Sequence, residues 1–328
     1  LTKSLLGVDA ETDAYRTDLL QWSRGIDIDD TDEDGSVTDA RRHMGDPLHS
    51  NPVVLNYGGT DASPDSTLFV ATNEGFLHAI NTSNGTEVFS FMPQELLTNL
   101  NTLYANSGAD DHPYGLDGPI TAWVNDVNHN GVLQDASGVT ESGEHAYLYA
   151  GMRRGGMNYY ALDVTNRNSP VLKLLDTGGA LKLQGEPIRE AAAKGATPGL
   201  GYVGDVSVVG DKVIAQWIRP MIHSASTGKH LGTYQPKRAD GKRQNLPVYG
   251  EMTSGKDGNV YYHSTHGAGH PVRRFDIAGK PLPFSSQKAT KTTPANAVPG
   301  LWHGHFRGAG MFIDRRGRIY IPAAAGDR

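Results

Sequence analysis

The sequence predicts an all-β fold, a modified β-propeller of repeated three- to four-stranded blades with a few short helices in insertions. Three observations carry that expectation. Gly 40 and Pro 18 in 328 residues suit many short strands joined by turns. Asn84-Gly85 stands between alternating apolar runs, the strongest short hairpin signal. A unit of strand, glycine turn, strand, glycine and strand recurs along the chain. No single copy can bury both its faces, and radial stacking of such copies gives a propeller. A tandem β-sandwich is the alternative, but the recurring order of turns favours blades.

In chain order, residues 9–24 read as a helix, with Ala14, Leu19, Leu20 and Trp22 near helical spacing and Thr12 as its cap. Residues 67–93 give the first clear unit. Strands are expected at 68–71, 76–80 and 88–91, with turns at Asn73-Glu74-Gly75 and Asn84-Gly85. Pro93 then opens a short helix over 94–103. Residues 146–175 repeat the unit around Gly155-Gly156, with strands at 159–163 and 171–175. Residues 190–194 have high helix propensity. Residues 211–234 are a weaker copy. Residues 257–284 form another, with a turn at 267–269 and strands at 272–276 and 279–284, and 285–299 reads as a polar loop. A last copy begins at Gly317 and is not finished.

That makes about five blades or part-blades in one domain, residues 1–328. Residues 1–45 form an N-terminal helix and acidic loop, 46–175 the best-defined blades, and 176–328 divergent blades with the last incomplete. The ring is expected to close either with a missing C-terminal piece or with the N-terminal strand at 52–56.

Net charge is −6, and the positives at Arg153-Arg154 and Arg315-Arg316 are pairs, so no nucleic-acid footprint is expected. No segment approaches eighteen apolar residues, and no membrane span is expected. The first residues are too short and polar for a signal peptide, and no Met begins the chain, which reads as a fragment or a processed chain. Without Cys, neither disulfides nor thiolate metal sites contribute.

The most informative motif lies at 126–135. Asp126, Asn128 and Asn130 place oxygens on alternate residues, Gly131 permits a sharp turn, and Val132 offers its carbonyl. This is the spacing of an EF-hand-type calcium loop, where a hard cation gathers six to eight oxygens. Gln134 stands at the ninth position, Asp135 follows it, and Ser137 stands where a bidentate Glu usually closes the loop. The plain alternative is a solvated Asn/Asp/Gly turn. A second acidic stretch gives Asp30, Asp32, Asp34, Ser36 and Thr38 at the same spacing, with Gly35 at the turn. A cation would relieve its crowded carboxylates; an exposed acidic turn is the alternative. Its twelfth position is Arg41, which cannot be a ligand.

His263, His266, His270, His303 and His305 fall in one stretch. They could bind zinc or copper, but such histidines are more often hydrogen-bonded turn residues. No catalytic or cofactor-binding motif is found: nucleophile elbow, Walker loop and His-Glu-x-x-His are all absent. Ser107, Asp110 and His112 are neighbours in sequence, which does not make a triad.

Four motifs in series carry a resemblance. They are Arg41-Arg-His-Met-Gly-Asp-Pro-Leu-His-Ser-Asn-Pro-Val-Val54, Leu68-Phe-Val-Ala-Thr-Asn-Glu-Gly-Phe-Leu-His-Ala79, Tyr114-Gly-Leu-Asp-Gly-Pro119 with Trp123, and Tyr149-Ala-Gly-Met-Arg-Arg-Gly-Gly156 through Tyr160-Ala-Leu-Asp163. Over about residues 15–175 the chain resembles the C-terminal propeller domain of the PilY family of type IV pilus biogenesis and tip-adhesin proteins; beyond 176 the match fades. The resemblance implies a propeller that binds Ca2+ at Asp126, Asn128, Asn130 and Val132, with Gln134 departing from the family's acidic ninth residue and Asp135 as its substitute. It implies control of pilus extension, retraction and adhesion from the pilus tip or cell surface, reached through the periplasm or outer membrane. The implied partners are minor pilins, the pilus machinery, and a host or abiotic surface.

Taken with the residues, this makes a non-enzymatic calcium-binding propeller the expected function. Two rivals stand beside it. One is a quinoprotein-like dehydrogenase, for which Trp123, Trp217 and Trp302 are sparse. The other is a carbohydrate- or protein-binding propeller without calcium regulation.

Overall fold

The structure is a computed structural model. It describes residues 1–106, 112–156, 158–173, 206–216, 220–246, 251–263, 271–289, 294–298, 311–313 and 317–320. The expected helix at 190–194, the turn at 267–269, Trp217, Trp302, Arg315 and Arg316 lie outside the described residues.

Apolar residues on alternate positions give a strand a buried face. In the first sheet these are Leu55 and Tyr57, Phe69 and Ala71, and Leu77 and Ala79. They lie on β1 (Val53–Thr60), β2 (Ser63–Ala71) and β3 (Leu77–Asn81), and β4 (Glu87–Phe91) completes the sheet. The second sheet holds β5 (Ile120–Asn125), β6 (His145–Gly151), β7 (Tyr159–Asp163) and β8 (Val171–Lys173). The third holds β9 (Val206–Val209), β10 (Lys212–Ala215), β11 (Met221–Ser224) and β12 (His230–Thr233). The fourth holds β13 (Glu251–Ser254), β14 (Val260–His263), β15 (Val272–Phe275) and β16 (Ala297–Val298), and β17 (Phe312–Ile313) with β18 (Ile319–Tyr320) forms a two-stranded piece. In every sheet the strands follow sequence order, and every pairing is antiparallel.

The cores lie between successive sheets. Tyr57 and Phe69 of the first pack with Leu148 and Leu162 of the second. Tyr149 of the second meets Val213 and Ala215 of the third. Ile214 of the third meets Val260 and Tyr262 of the fourth, and Val272 of the fourth meets Ile313. First strands are also neighbours in turn, β1 with β5, β5 with β9, β9 with β13 and β13 with β17. Up-and-down sheets stacked face to face with their first strands together make a propeller-like architecture.

Three expectations need correction. Residues 52–56 do not close the last blade. Val53 to Asn56 pair with Phe69 to Ser66, so this strand is the first of its own sheet. Residues 279–284 are not a strand beyond one bridge, Phe275 to Pro281. Pro281 and Pro283 have no N–H to offer a ladder, and β15 pairs instead with Ala297 and Val298, inside the stretch expected to be loop. β5 is a further strand, for which the sequence reading gives no expectation.

The expected N-terminal helix is α2 (Asp13–Ser23), after a short α1 (Lys3–Leu6) that the sequence did not announce. Thr12 caps α2 as expected, its hydroxyl accepting from Tyr15 N–H at 3.1 Å. The helix after Pro93 is a 3-10 turn (Gln94–Leu96) followed by α3 (Asn99–Ala105). Leu6, Val8, Leu19, Leu97 and Leu100 bury together between these helices. Arg41 lies over the Trp22 ring at 4.2 Å, which ties the acidic loop to α2.

Tyrosine hydroxyls stitch the sheets. Tyr57 donates to the Val164 carbonyl at 2.6 Å, Tyr149 to Ala225 at 2.8 Å and Tyr234 to Asp276 at 3.0 Å. Burial pushes all three phenols, and that of Tyr160, above their ordinary value. Tyr261 is pushed up to about 12, first by burial and then by its bond to Asp257. These shifts favour the neutral phenol in the fold, so their contribution is complete below the unfolded value of 10.0. It is lost as pH rises through the folded value. Alkaline titration should therefore show phenolate absorbance rising together with loss of circular dichroism, above pH 10. Independent ionisation of all tyrosines near pH 10, with the fold intact, would contradict this packing.

Candidate metal centre

β5 and β6 are a hairpin interrupted by a long excursion, residues 126–144. The excursion starts from a directly paired position, Asn125 with His145. Within it, Asp126 accepts from Asn130 N–H at 3.2 Å and from Gly131 N–H at 2.9 Å. Asn128 accepts from Asn130 N–H, and Asn130 from Val132 N–H, both at 3.0 Å. His129 and Gly131 take left-handed φ of 60° and 78°. This coils the loop so that the side chains at 126, 128 and 130 turn to its inside.

The expected ninth-position ligands behave differently. Gln134 donates its N–H to Tyr57 O at 2.9 Å, pinning the loop to β1, and Leu133 beside it is buried in the core of the first two sheets. Asp135 closes its own turn: its carboxylate accepts from Ser137 Oγ at 2.6 Å, Ser137 N–H at 2.9 Å and Val139 N–H at 3.0 Å. The Ser137 hydroxyl bond above all holds its carboxyl below the usual range.

The acid that does reach the loop is Glu141, which the sequence reading missed. Its carboxylate accepts from the carboxamides of Asn128 and Asn130, the latter at 3.1 Å. A bridge between Gln134 and Thr140 folds the chain back and delivers it, beyond the span of a twelve-residue template. A carboxamide carries oxygen and nitrogen on one carbon, so rotation of its last bond presents oxygen instead. Beneath the loop, Glu144 is 1% exposed. One of its oxygens accepts from Val127 N–H at 2.7 Å, and the other is buried with no hydrogen-bond partner. A buried carboxylate oxygen without a partner is costly.

The second loop repeats this backbone. Gly35 N–H donates to the Asp30 carboxylate at 3.1 and 3.2 Å, as Gly131 does to Asp126. Glu33 and Gly35 take φ of 58° and 84°. Ser36 N–H donates to Asp34 at 2.8 Å, and Thr38 N–H to Ser36 Oγ at 3.4 Å. Asp30, Asp32 and Asp34 bring carboxylate oxygens within 4.8 Å of one another, the one such three-residue group among the described residues. Arg42 already faces Asp32 at 3.1 Å, so a cation here competes with a guanidinium. The loop is closed by the Ile26–Ala40 bridge. Of the histidine group, only His263 is among the described residues; it is buried at the end of β14.

No family model matches the chain. It is 23% identical to the type IV pilus biogenesis factor PilY1 of Pseudomonas aeruginosa over 92% of its own length and 26% of that protein's. It is 27% identical to a PilY1 homologue of Xylella fastidiosa over 50% of this chain and 14% of the homologue. Among solved structures, the C-terminal domain of Pseudomonas aeruginosa PilY1 matches at TM-score 0.33 and 18% identity, covering 65% of this chain and 39% of that one. BamB of Moraxella catarrhalis matches at TM-score 0.36 and 14% identity, covering 83% and 53%. No helix among the described residues is long and apolar enough to cross a membrane. The chain is PilY-like: over most of its own length it is similar in sequence to about a quarter of a type IV pilus biogenesis factor.

Proposed function

We propose that this chain is a calcium-responsive, non-catalytic propeller of a type IV pilus-associated protein. It acts at the pilus tip or cell surface, where it regulates extension, retraction and adhesion through minor pilins or the pilus machinery and a host or abiotic surface. The observation that carries the calcium reading is the set of hydrogen bonds that links Asp126, Asn128, Asn130 and Glu141 around one left-handed turn. With the Val132 carbonyl these supply the oxygen-only shell that a hard cation takes. Asp30, Asp32, Asp34, Ser36 and Thr38 form a second, weaker candidate. The pilus reading is supported by sequence similarity to PilY1.

The chain's part is linkage. Gln134 and Leu133 fasten the loop to the first sheet while its ends belong to the second. Ion binding to the ordered loop shifts the population toward the state in which those two sheets are tied. Calcium titration by calorimetry on wild type and Asp126→Ala tests the site. The variant is expected to lose the tighter uptake; equal uptake by both proteins would sink the assignment.

A further inference from the structure

The first strands of all five sheets contribute to one cavity of about 400 Å³, within the ~300–1,000 Å³ usual for small-molecule sites. Its polar lining includes His49, Asn51, Arg153, Thr253, Ser254 and Lys256. Among the described residues, none of the lining is an aspartate or glutamate, although the chain carries a net charge of −6. Among these described residues a metal cation would meet Arg153 and Lys256 and no carboxylate. An anion meets the reverse, in a recess where charge attraction is screened less than at the surface.

One wall is built with care. His49 Nδ1 lies 2.5 Å from Asp117 Oδ1, and the Asp117 side chain is fully buried. The other Asp117 oxygen has no hydrogen-bond partner, so the carboxylate depends on this imidazole. Backbone contacts fix it from both sides: Leu116 N–H donates to Thr72 O at 3.1 Å, and Gly118 N–H to Gly151 O at 3.1 Å. Holding Nδ1 fixes the ring and leaves Nε2 as the nitrogen for a ligand. Arg153 adopts φ 51°, a left-handed conformation that non-glycine residues seldom keep.

We propose that this cavity binds a small oxyanion, a carboxylate- or phosphate-bearing molecule. Arg153 and Lys256 supply charge, and His49, steadied by Asp117, supplies a directed hydrogen bond. The site is independent of the calcium loops.

Calorimetric titration with sodium phosphate and with sodium citrate, at low ionic strength, tests it. Saturable binding of at least one anion is expected, and the tighter of the two names the headgroup class. Lys256→Gln, at an exposed position, is expected to weaken binding about tenfold, the loss of one charge-assisted contact. His49→Gln should weaken it comparably with unchanged circular dichroism. The imidazole resonances of His49 should move when the anion is added to wild type. Asp126→Ala should bind the anion as wild type does, which separates this outcome from that of the calcium reading. Absence of saturable heat with both anions would overturn the proposal, as would wild-type affinity in both Lys256→Gln and His49→Gln.

Discussion

Replacing Gly155 by alanine is expected to lower the unfolding free energy by ~3 kcal/mol or more, the upper end of what overpacking costs. An added Cβ would lie 1.8 Å from the Gly115 carbonyl oxygen and 2.8 Å from that of Tyr114. Both obstacles are backbone, so no rotamer change relieves them. Gly115 is confined in turn: its own added Cβ would lie 2.4 Å from Gly75 N. Three turns, one from the first sheet, one from the connection and one from the second, are thus stacked backbone on backbone. Gly210 supplies the control, since it has φ 55° and nothing within 4 Å of an added Cβ. Gly210→Ala meets only the left-handed strain, ~1–2 kcal/mol. Urea denaturation of both variants is the measurement. Equal losses would show that the stack is not what holds the sheets together.

Glu141→Gln is expected to weaken calcium affinity about a hundredfold, since ligand charge moves such loops across several decades of Kd. The change keeps shape and hydrogen bonding and removes one charge. Asp135→Asn, by contrast, should leave affinity nearly unchanged, because that carboxylate is spent on Ser137 and Val139. Calorimetry on the pair decides between the two acids. A larger loss in Asp135→Asn would return the ninth-position neighbour to the shell and remove Glu141 from it.

Much of the fold is written locally. Asn84-Gly85 and Asn73-Glu74-Gly75 announce their turns because glycine accepts the φ of 75° and 99° found there. Alternation in β2 and β3 announces the buried face. What was misread is non-local. The partner of β15 lies across a loop, and prolines made the nearer segment look continuous in composition while denying it a ladder. The site divides the same way. Asp126, Asn128 and Asn130 stand at a spacing that any tight oxygen-lined turn requires. Glu141 comes from outside that spacing, through a bridge that only the folded chain forms. His49 and Asp117 are 68 positions apart and meet only in the folded chain; no periodicity carries that information.

The pairing of Asn125 with His145 has one more consequence. The ladder of β5 and β6 takes no account of how many residues lie between those two positions. Insertions or deletions there leave every strand partner where it was. The segment proposed to bind the ion can therefore change in length and composition, or be transplanted, without disturbing the ladder that carries it.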